Sequence, residues 1–198
     1  LAEAKSLNTQ RVSAAKKLDS EINQVLEELG MQDATFRTQV LFPENPKIES
    51  ASPTGLDIVE FYVTPNLGEG EGPLNKTLSG GELSRVMLAI KKVLAHRDHV
   101  PTLVFDEVDA GISGEVGHSI GSCLKSLAKH HQILCISHLH QVACQGDSHY
   151  EVKKSSDDGR TFSFIKELSL MERPKEIARM LGGSENKQAL EHAENLLK

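Results

Sequence analysis

The sequence predicts an α/β fold built around one hydrophobic core. Two short apolar runs, 102–105 and 132–136, are typical of buried strands, and an amphipathic helical pattern from Val116 to Leu127 lies between them. Strand, helix and strand in this order predict a parallel βαβ crossover. With 198 residues, of which 38% are apolar, the chain is long enough to bury a sizeable core.

The stretch 78–85, LSGGELSR, begins the helix that the rest of the site is organised around. Ser79 and Glu82 have the spacing of a capping box. Gly80 and Gly81 have no side chains, so another body can approach the N–H groups of the first turn, as in phosphate-binding helices. For a bare Ser-x-x-Glu the alternative is a well-capped buried helix. The apolar face expected behind the cap comprises Leu83, Val86, Met87, Ile90, Val93 and Leu94.

Two carboxylates, Asp106 and Glu107, directly follow the apolar strand 102–105. This strand comes after a proline and is expected to be buried on both faces. Ligands bind at the carboxyl ends of strands in open α/β sheets. Because adjacent side chains on a strand point to opposite sides, the two carboxylates are expected to act differently. One can hold Mg²⁺ while the other polarises water, although alone such a pair is often only the polar start of a loop.

Four motifs in order resemble the C-terminal half of an ABC-type ATPase head. The signature loop of such a head is similar to LSGGELSR, its Walker B strand to VFDE, its D-loop to VDAGIS and its switch histidine to ISH. ABC transporters usually have DEPTSALD after Walker B, whereas FDEVDAGISG resembles the SMC-like branch. Within that branch, SHLHQVA and ARMLGG are similar to a bacterial DNA-repair protein.

The resemblance implies a nucleotide-binding surface shared by two heads. The start of the signature helix would touch the γ-phosphate of ATP held by the second head, and the D-loop would cross the dimer interface. The residues implied on this surface are Ser79, Gly80, Gly81, Glu82, Asp109 and Gly111.

The resemblance also implies the residues that act on the bound nucleotide. Asp106 would hold Mg²⁺ through water, and Glu107 would orient or deprotonate the attacking water. His138 would contact the γ-phosphate and the attacking water. The cofactors implied are ATP and Mg²⁺, and they require the other half of the head.

A zinc site is the competing interpretation of the region around His138. Cys135, His138, His140 and Cys144 lie within ten residues, but the spacing fits no usual zinc knuckle and Cys135 lies in an apolar strand. Cys123 is expected in the core. Three cysteines without a framework spacing fit a reducing compartment.

No G-x-x-x-x-G-K-[ST] occurs in this sequence. The glycines at 68, 70 and 72 alternate with Glu69 and Glu71, which would repel phosphate, so this stretch is expected to be a solvated loop. The chain therefore resembles the C-terminal part of a longer protein, and its first expected partner is the Walker A half of the same protein.

A heptad-like seam occupies the first 30 residues, at positions Ala15, Leu18, Ile22, Val25 and Leu29. Two heptads fit either a coiled coil or an amphipathic helix packed on the domain. The resemblance favours the coiled coil, because such proteins carry a coiled-coil arm. The expected division is therefore an arm end at 1–30 and a C-terminal head lobe at 31–198.

Local patterns predict the remaining elements. Strands are expected at 35–42 and 56–63, and again at 149–153 and 161–166 around a turn at 155–159. Two helices are expected to finish the chain, at 174–181, stopped by Gly182 and Gly183, and at 185–197.

The function implied is ATP hydrolysis in DNA double-strand break repair and recombination, in which ATP held between two heads drives their dimerisation and is then hydrolysed. DNA would be bound through the full-length protein, because a net charge of −6 argues against a general nucleic-acid surface here. The alternatives are the head of another SMC-like ATPase in chromosome organisation, or an inactive structural and dimerisation lobe. No apolar run could span a membrane and no signal peptide is present, so a cytoplasmic, nucleoid-associated location is expected.

Overall fold

The chain opens with a 27-residue helix, α1 (Ala2–Glu28), in a computed structural model that describes residues 1–112, 114–157, 160–182 and 186–198. The C-terminal half of α1 carries most of the predicted seam, in which Ile22 is fully buried, and Leu26, outside the predicted seam, is fully buried as well. Gly30 ends the helix with φ of +76°, a conformation that glycine adopts without steric cost. A Cβ there would also meet Val116 at 2.8 Å. The seam thus packs on this lobe, and the arm boundary at residue 30 stays a prediction.

An antiparallel sheet follows α1. The predicted hairpin is confirmed as β1 (Thr35–Leu41) and β2 (Ile58–Thr64), whose register pairs the first residue of β1 with the last of β2. A third strand, β3 (Gly72–Pro73), and the short helix α2 (Leu74–Thr77) lie where only a loop was expected. The loop between β1 and β2 contains a 3-10 turn (Ile48–Ser50).

Polar side chains of α1 fix the sheet and its long loop. The side chain of Asn23 accepts from the N–H of Phe36 at 2.7 Å and donates to its carbonyl at 3.0 Å. It thus makes the two backbone hydrogen bonds that a neighbouring strand would make at that position. Asp57 is buried at the end of the loop and accepts from Arg11 and Asn8, both at 2.9 Å. The solvated-loop expectation for 68–72 is only partly right, because Glu71 forms a bidentate ion pair with Arg37 in β1.

The predicted βαβ unit is confirmed. The signature helix α3 (Gly80–Leu94) leads to β4 (Thr102–Phe105), then α4 (Glu115–Leu127), then β5 (Gln132–Cys135), which is parallel to β4. One face of this two-stranded sheet packs on the main core through Leu103 and Phe105. The core also holds the buried faces of α1, α3 and α4.

The expectation that β4 and its neighbour are buried on both faces is wrong for this chain. Val104 is 64% exposed, and Leu134 and Ile136 on the same face are also exposed. No element among the described residues covers that face. Leu83 and Met87 of α3 are only half-buried and line a groove beside Val104. The most deeply buried residues of α3 are Val86, Leu88 and Ala89 instead.

A hairpin and three helices complete the chain. The predicted hairpin is confirmed as β6 (Tyr150–Asp157) and β7 (Arg160–Glu167), and it follows the short helix α5 (His140–Ala143). The helices α6 (Arg173–Met180) and α7 (Lys187–Leu196) pack on each other around a second, smaller cluster. Arg173 joins this unit to the loop after α5 by donating to the carbonyl of Gly146 at 2.8 Å.

Some sequence expectations concern residues that the structure does not describe. They are Ser113 of the D-loop stretch, residues 158–159 of the β6–β7 turn, the second glycine of the predicted helix stop, and the predicted helix start at Glu185. Gly182, the first glycine of that stop, has φ of +84°. Within the described ranges, no helix is long and apolar enough to cross a membrane.

We expect Leu26→Ala to lower the free energy of unfolding of this chain by about 2–5 kcal/mol, because it opens a cavity where α1 meets the core. Val12→Ala on the same helix is the matched control: Val12 is 37% exposed, and its loss should change stability by less than about 0.5 kcal/mol. Urea denaturation of both variants measures the difference. Equal effects would mean that the C-terminal half of α1 is not part of the lobe.

Candidate functional site

The carboxyl ends of β4 and β5 meet the start of α3 at one edge of the lobe. Ser84 in the first turns of α3 donates from its hydroxyl to the carbonyl of Asp106 at 2.7 Å. A Cβ built on Gly80 would lie 2.9 Å from Oε2 of Glu107. On the other side, His138 after β5 lies beside Asp109 in the turn after β4. The structure thus brings together three segments that the sequence places about 30 residues apart.

Ser79 and Glu82 form the predicted capping box at the start of α3. The N–H and the hydroxyl of Ser79 both donate to Oε2 of Glu82, at 2.9 and 2.6 Å. These two hydrogen bonds hold the pKa of Glu82 below its usual range. The bond from the serine hydroxyl has the larger effect, and the bond from the backbone N–H has the smaller one. The cap therefore consists of a charged acceptor, and Ser79 itself lies exposed at the surface.

The two glycines of the signature stretch occupy different environments. Gly81 is buried, and a Cβ there would meet Cβ of Ala110 at 2.8 Å and the carbonyl oxygen of Glu107 at 3.1 Å. Gly80 is exposed, and its added Cβ would meet only the flexible end of the Glu107 side chain. Gly81 therefore permits close packing of α3 on the turn after β4, and Gly80 leaves the helix start open to another body.

Arg85 is a site residue that the sequence reasoning missed. It is buried, and its Nη1 donates to the carbonyl of Ala110 at 2.8 Å. Burial lowers the pKa of this guanidinium. The nearby Glu82 carboxylate raises it, but by less. The available signal was the polar pair Ser84 and Arg85 inside an otherwise apolar helix. Both side chains fix α3 to the turn that carries the acidic residues.

Asp106 and Glu107 are exposed at the end of β4, as a ligand-binding pair requires. Among the described residues other than glycine, Glu107 alone has a positive φ, at +57°. Side-chain-bearing residues adopt this left-handed region rarely, and such residues cluster at active sites where the surrounding structure enforces them. Nucleotide, Mg²⁺ and water contacts of the pair stay predictions.

Asp109 and Gly111 lie in the turn after β4, as expected for the D-loop stretch. Asp109 is only 1% exposed and accepts hydrogen bonds from the loop after β5. Gly111 is exposed with φ of +72°, and no atom lies within 4 Å of an added Cβ, so its backbone conformation rather than space favours glycine. The side chain of His138 is 68% exposed at the same edge.

The cysteines and histidines of the alternative zinc site are distributed over two parts of the lobe. Cys135 packs on the main core, whereas Cys144 packs on the α6–α7 cluster. In the part of the chain that the structure describes, no three His, Cys, Asp or Glu side chains are grouped to hold a metal ion. Burial raises the pKa of the Cys135 thiol to about 12, so it is a poor thiolate ligand. Cys123 lies in the core, as predicted.

The contrast between the glycines predicts unequal effects of an added methyl group. Gly81→Ala should lower the free energy of unfolding by about 1–3 kcal/mol, because Ala110 and a backbone carbonyl must shift. Gly80→Ala is the matched control and should leave stability unchanged or slightly higher, by up to about 1 kcal/mol. Thermal and urea denaturation of both variants would test this, and equal destabilisation would contradict the packing role given to Gly81.

Comparison with known proteins identifies the family. No family model matches the chain. The chain is 39% identical over 197 residues to the DNA repair protein RecN of Haemophilus influenzae. The aligned region covers 99% of this chain and 35% of that protein. The RecN proteins of Bacillus subtilis (39% over 207 residues, 99% and 36% covered) and Deinococcus radiodurans (42% over 192 residues, 97% and 33% covered) match similarly. The chain spans about a third of the length of these relatives.

Solved structures agree on the fold. The Smc head domain of Pyrococcus yayanosii, solved with a coiled coil and joint, matches with a TM-score of 0.55 and 20% identity over 96% of this chain and 30% of that chain. The Smc head domain of Pyrococcus furiosus, bound to the C-terminal domain of ScpA, matches with a TM-score of 0.54 and 21% identity over 87% and 39% of the two chains. The chain therefore belongs to the RecN family, as a C-terminal portion with the α/β fold of an SMC-like ATPase head.

Proposed function

We propose that the protein containing this chain hydrolyses ATP in DNA double-strand break repair and recombination, and that this chain supplies the C-terminal lobe of its ATPase head. The observation that carries the proposal is that Asp106 and Glu107 follow one of two paired parallel strands and His138 follows the other, at adjacent carboxyl ends. The start of α3 lies at the same edge. The relatives are DNA repair proteins by name, which supports a role in this biological process.

Each residue of the site has a role that suits phosphoryl transfer. Mg²⁺, when bound, neutralises charge on the phosphate oxygens. Asp106, an exposed carboxylate at the strand end, would hold this ion through water. Glu107 orients the attacking water and accepts its proton, a role that needs a carboxylate fixed near the reacting atoms. His138 contacts the attacking water from the neighbouring strand end.

The start of α3 is proposed to bind the γ-phosphate of ATP held by a second head. An exposed helix N-terminus offers free N–H groups and the positive end of the helix dipole to an anion. Ser79 and Gly80 are exposed there, and α3 has 15 residues, long enough for a full dipole. Two heads related by a twofold axis would then enclose two nucleotides, which makes ATP binding a condition for the homodimer.

The Walker A half of the same protein is the proposed occupant of the open face of β4 and β5. Val104, Leu134 and Ile136 present a continuous apolar strip there, and contiguous exposed apolar surface marks an interface. The relatives are about three times as long as this chain, so chain is available to cover it. The proposed location is the cytoplasm at the nucleoid, with DNA contacted outside this acidic lobe.

Two alternatives remain distinguishable from this proposal. Another SMC-like ATPase is less well supported, because identity is near 40% to RecN proteins and near 20% to Smc heads. For the isolated chain, a structural and dimerisation lobe without activity is favoured by the lack of a G-x-x-x-x-G-K-[ST] stretch. The second alternative describes the fragment and not the whole protein.

We expect this chain alone to bind Mg-ATP no more tightly than about 1 mM, which is a binding free energy of about −4 kcal/mol. The backbone cradle and lysine that supply most phosphate affinity are absent from its sequence. Isothermal titration calorimetry measures this, with the full-length protein as the positive control. Micromolar binding to the isolated chain would contradict the division of the site between two halves.

In the full-length protein, Glu107→Gln should lower ATP turnover by about 100-fold or more while ATP binding is preserved. The amide keeps the shape of the side chain but cannot accept the proton. Glu194→Gln, the same chemical change on the exposed face of α7, is the control and should leave turnover unchanged. Steady-state turnover and equilibrium nucleotide binding, measured on the same preparations, decide the matter. Equal turnover by Glu107→Gln and wild type would remove the catalytic assignment.

A further inference from the structure

Asp109 is a buried carboxylate whose hydrogen bonds all lead to the loop that carries His138. Its Oδ2 accepts from the hydroxyl of Ser137 at 2.5 Å and from the backbone N–H of His138 at 2.9 Å and of Leu139 at 3.3 Å. Nδ1 of His138 lies 3.1 Å from the same oxygen. One carboxylate oxygen thus holds the backbone of the switch histidine by a hydrogen bond and lies in close polar contact with its imidazole.

This arrangement favours a proton on one particular imidazole nitrogen. A carboxylate oxygen carries only lone pairs, so at 3.1 Å it repels the lone pair of an unprotonated Nδ1 of His138 and attracts an Nδ1–H. In the neutral ring the lone pair then lies on Nε2. Because the side chain is 68% exposed, its ring remains accessible to a reacting group while its backbone is fixed.

We propose that Asp109 is a positioning residue that acts through His138. It selects the Nδ1–H tautomer, so that Nε2 accepts a hydrogen bond from the attacking water. The proposal rests on the ATPase function proposed above. It replaces the role expected from the resemblance, in which Asp109 belongs to the nucleotide-binding surface: with 1% of its surface exposed, Asp109 has no room to contact a nucleotide or a metal ion.

Contacts around Asp109 hold it in a fixed position. The next residue, Ala110, is held from the opposite side, where its carbonyl accepts from the buried guanidinium of Arg85 at 2.8 Å. The hydroxyl of Ser137 donates to Asp109 and, at 3.1 Å, accepts from the N–H of Leu139. Ser137 therefore helps to hold Asp109 against the loop after β5, and it is not a nucleophile activated by the histidine.

The tautomer is tested directly on full-length protein labelled with ¹⁵N-histidine. The signal of His138 is assigned by its loss in His138→Gln, and spectra are recorded at about pH 8, where an ordinary histidine is neutral. Long-range ¹H–¹⁵N correlation distinguishes the two neutral forms. We expect Nδ1–H for His138, and the Nε2–H form would overturn the proposal whether or not the protein hydrolyses ATP.

The catalytic consequence is tested by turnover of Asp109 variants in the full-length protein. Asp109→Ala removes the acceptor and should lower kcat as much as His138→Gln does, by about 10- to 100-fold, with the KM for ATP changed less than about threefold. Asp109→Asn retains one acceptor oxygen and should restore kcat to within about tenfold of wild type. The double variant Asp109→Ala with His138→Gln should be slower than His138→Gln by less than about threefold, because residues that act as a unit are not additive.

The outcomes separate this proposal from the function on which it rests. Losses that multiply in the double variant, or wild-type turnover in Asp109→Ala, would overturn the positioning role. If Asp109→Ala does not fold, the Asp109→Asn turnover and the wild-type tautomer still decide it. Absence of ATP turnover in the wild-type protein would instead overturn the proposed function and leave the tautomer result standing.

Discussion

The turn after β4 is held between two other segments, and the geometry of the whole edge depends on that. From one side, α3 contacts it through Ser84 and Arg85, which bond to its carbonyls, and through Gly81, which packs against Ala110. From the other side, the loop after β5 donates to Asp109. Because the turn is fixed on both sides, three segments distant in sequence become one rigid unit.

Two buried charges hold the turn: hydrogen bonds replace the hydration of Asp109, whereas Arg85 keeps a buried Nε that has no hydrogen-bond partner among the described residues. A buried guanidinium or carboxylate is costly unless hydrogen bonds replace its hydration. Arg85 donates to a backbone carbonyl, and Asp109 accepts from three donors around Ser137 and His138. In the same turn, Glu107 adopts a left-handed backbone conformation, which costs about 1–3 kcal/mol in proteins. The surrounding contacts offset that strain and hold the conformation of the turn.

Other surfaces of the lobe suit a larger assembly. In addition to the apolar strip on β4 and β5, the hairpin of β6 and β7 exposes Val152 and Ile165 on one face and Phe164 on the other. A two-stranded hairpin is marginally stable by itself, and apolar residues on both faces are typical of strands inside a covered sheet. These exposed apolar surfaces belong to a chain that spans about a third of the length of its RecN relatives.

Local sequence patterns determined the elements, and tertiary contacts decided the site. Hydrophobic periodicity and the Ser79–Glu82 spacing are properties of neighbouring residues, so the longer helices, both hairpins, the capping box and the βαβ order could be predicted, whereas the four-residue helices α2 and α5 were not. The two-residue strand β3, the burial of Arg85 and the bonds of Asp109 to a loop about 30 residues away could not, since no local pattern encodes such contacts. The exposure of Val104 was likewise decided in three dimensions, because an apolar strand reads the same in sequence whether its second face is covered by its own chain or by another segment.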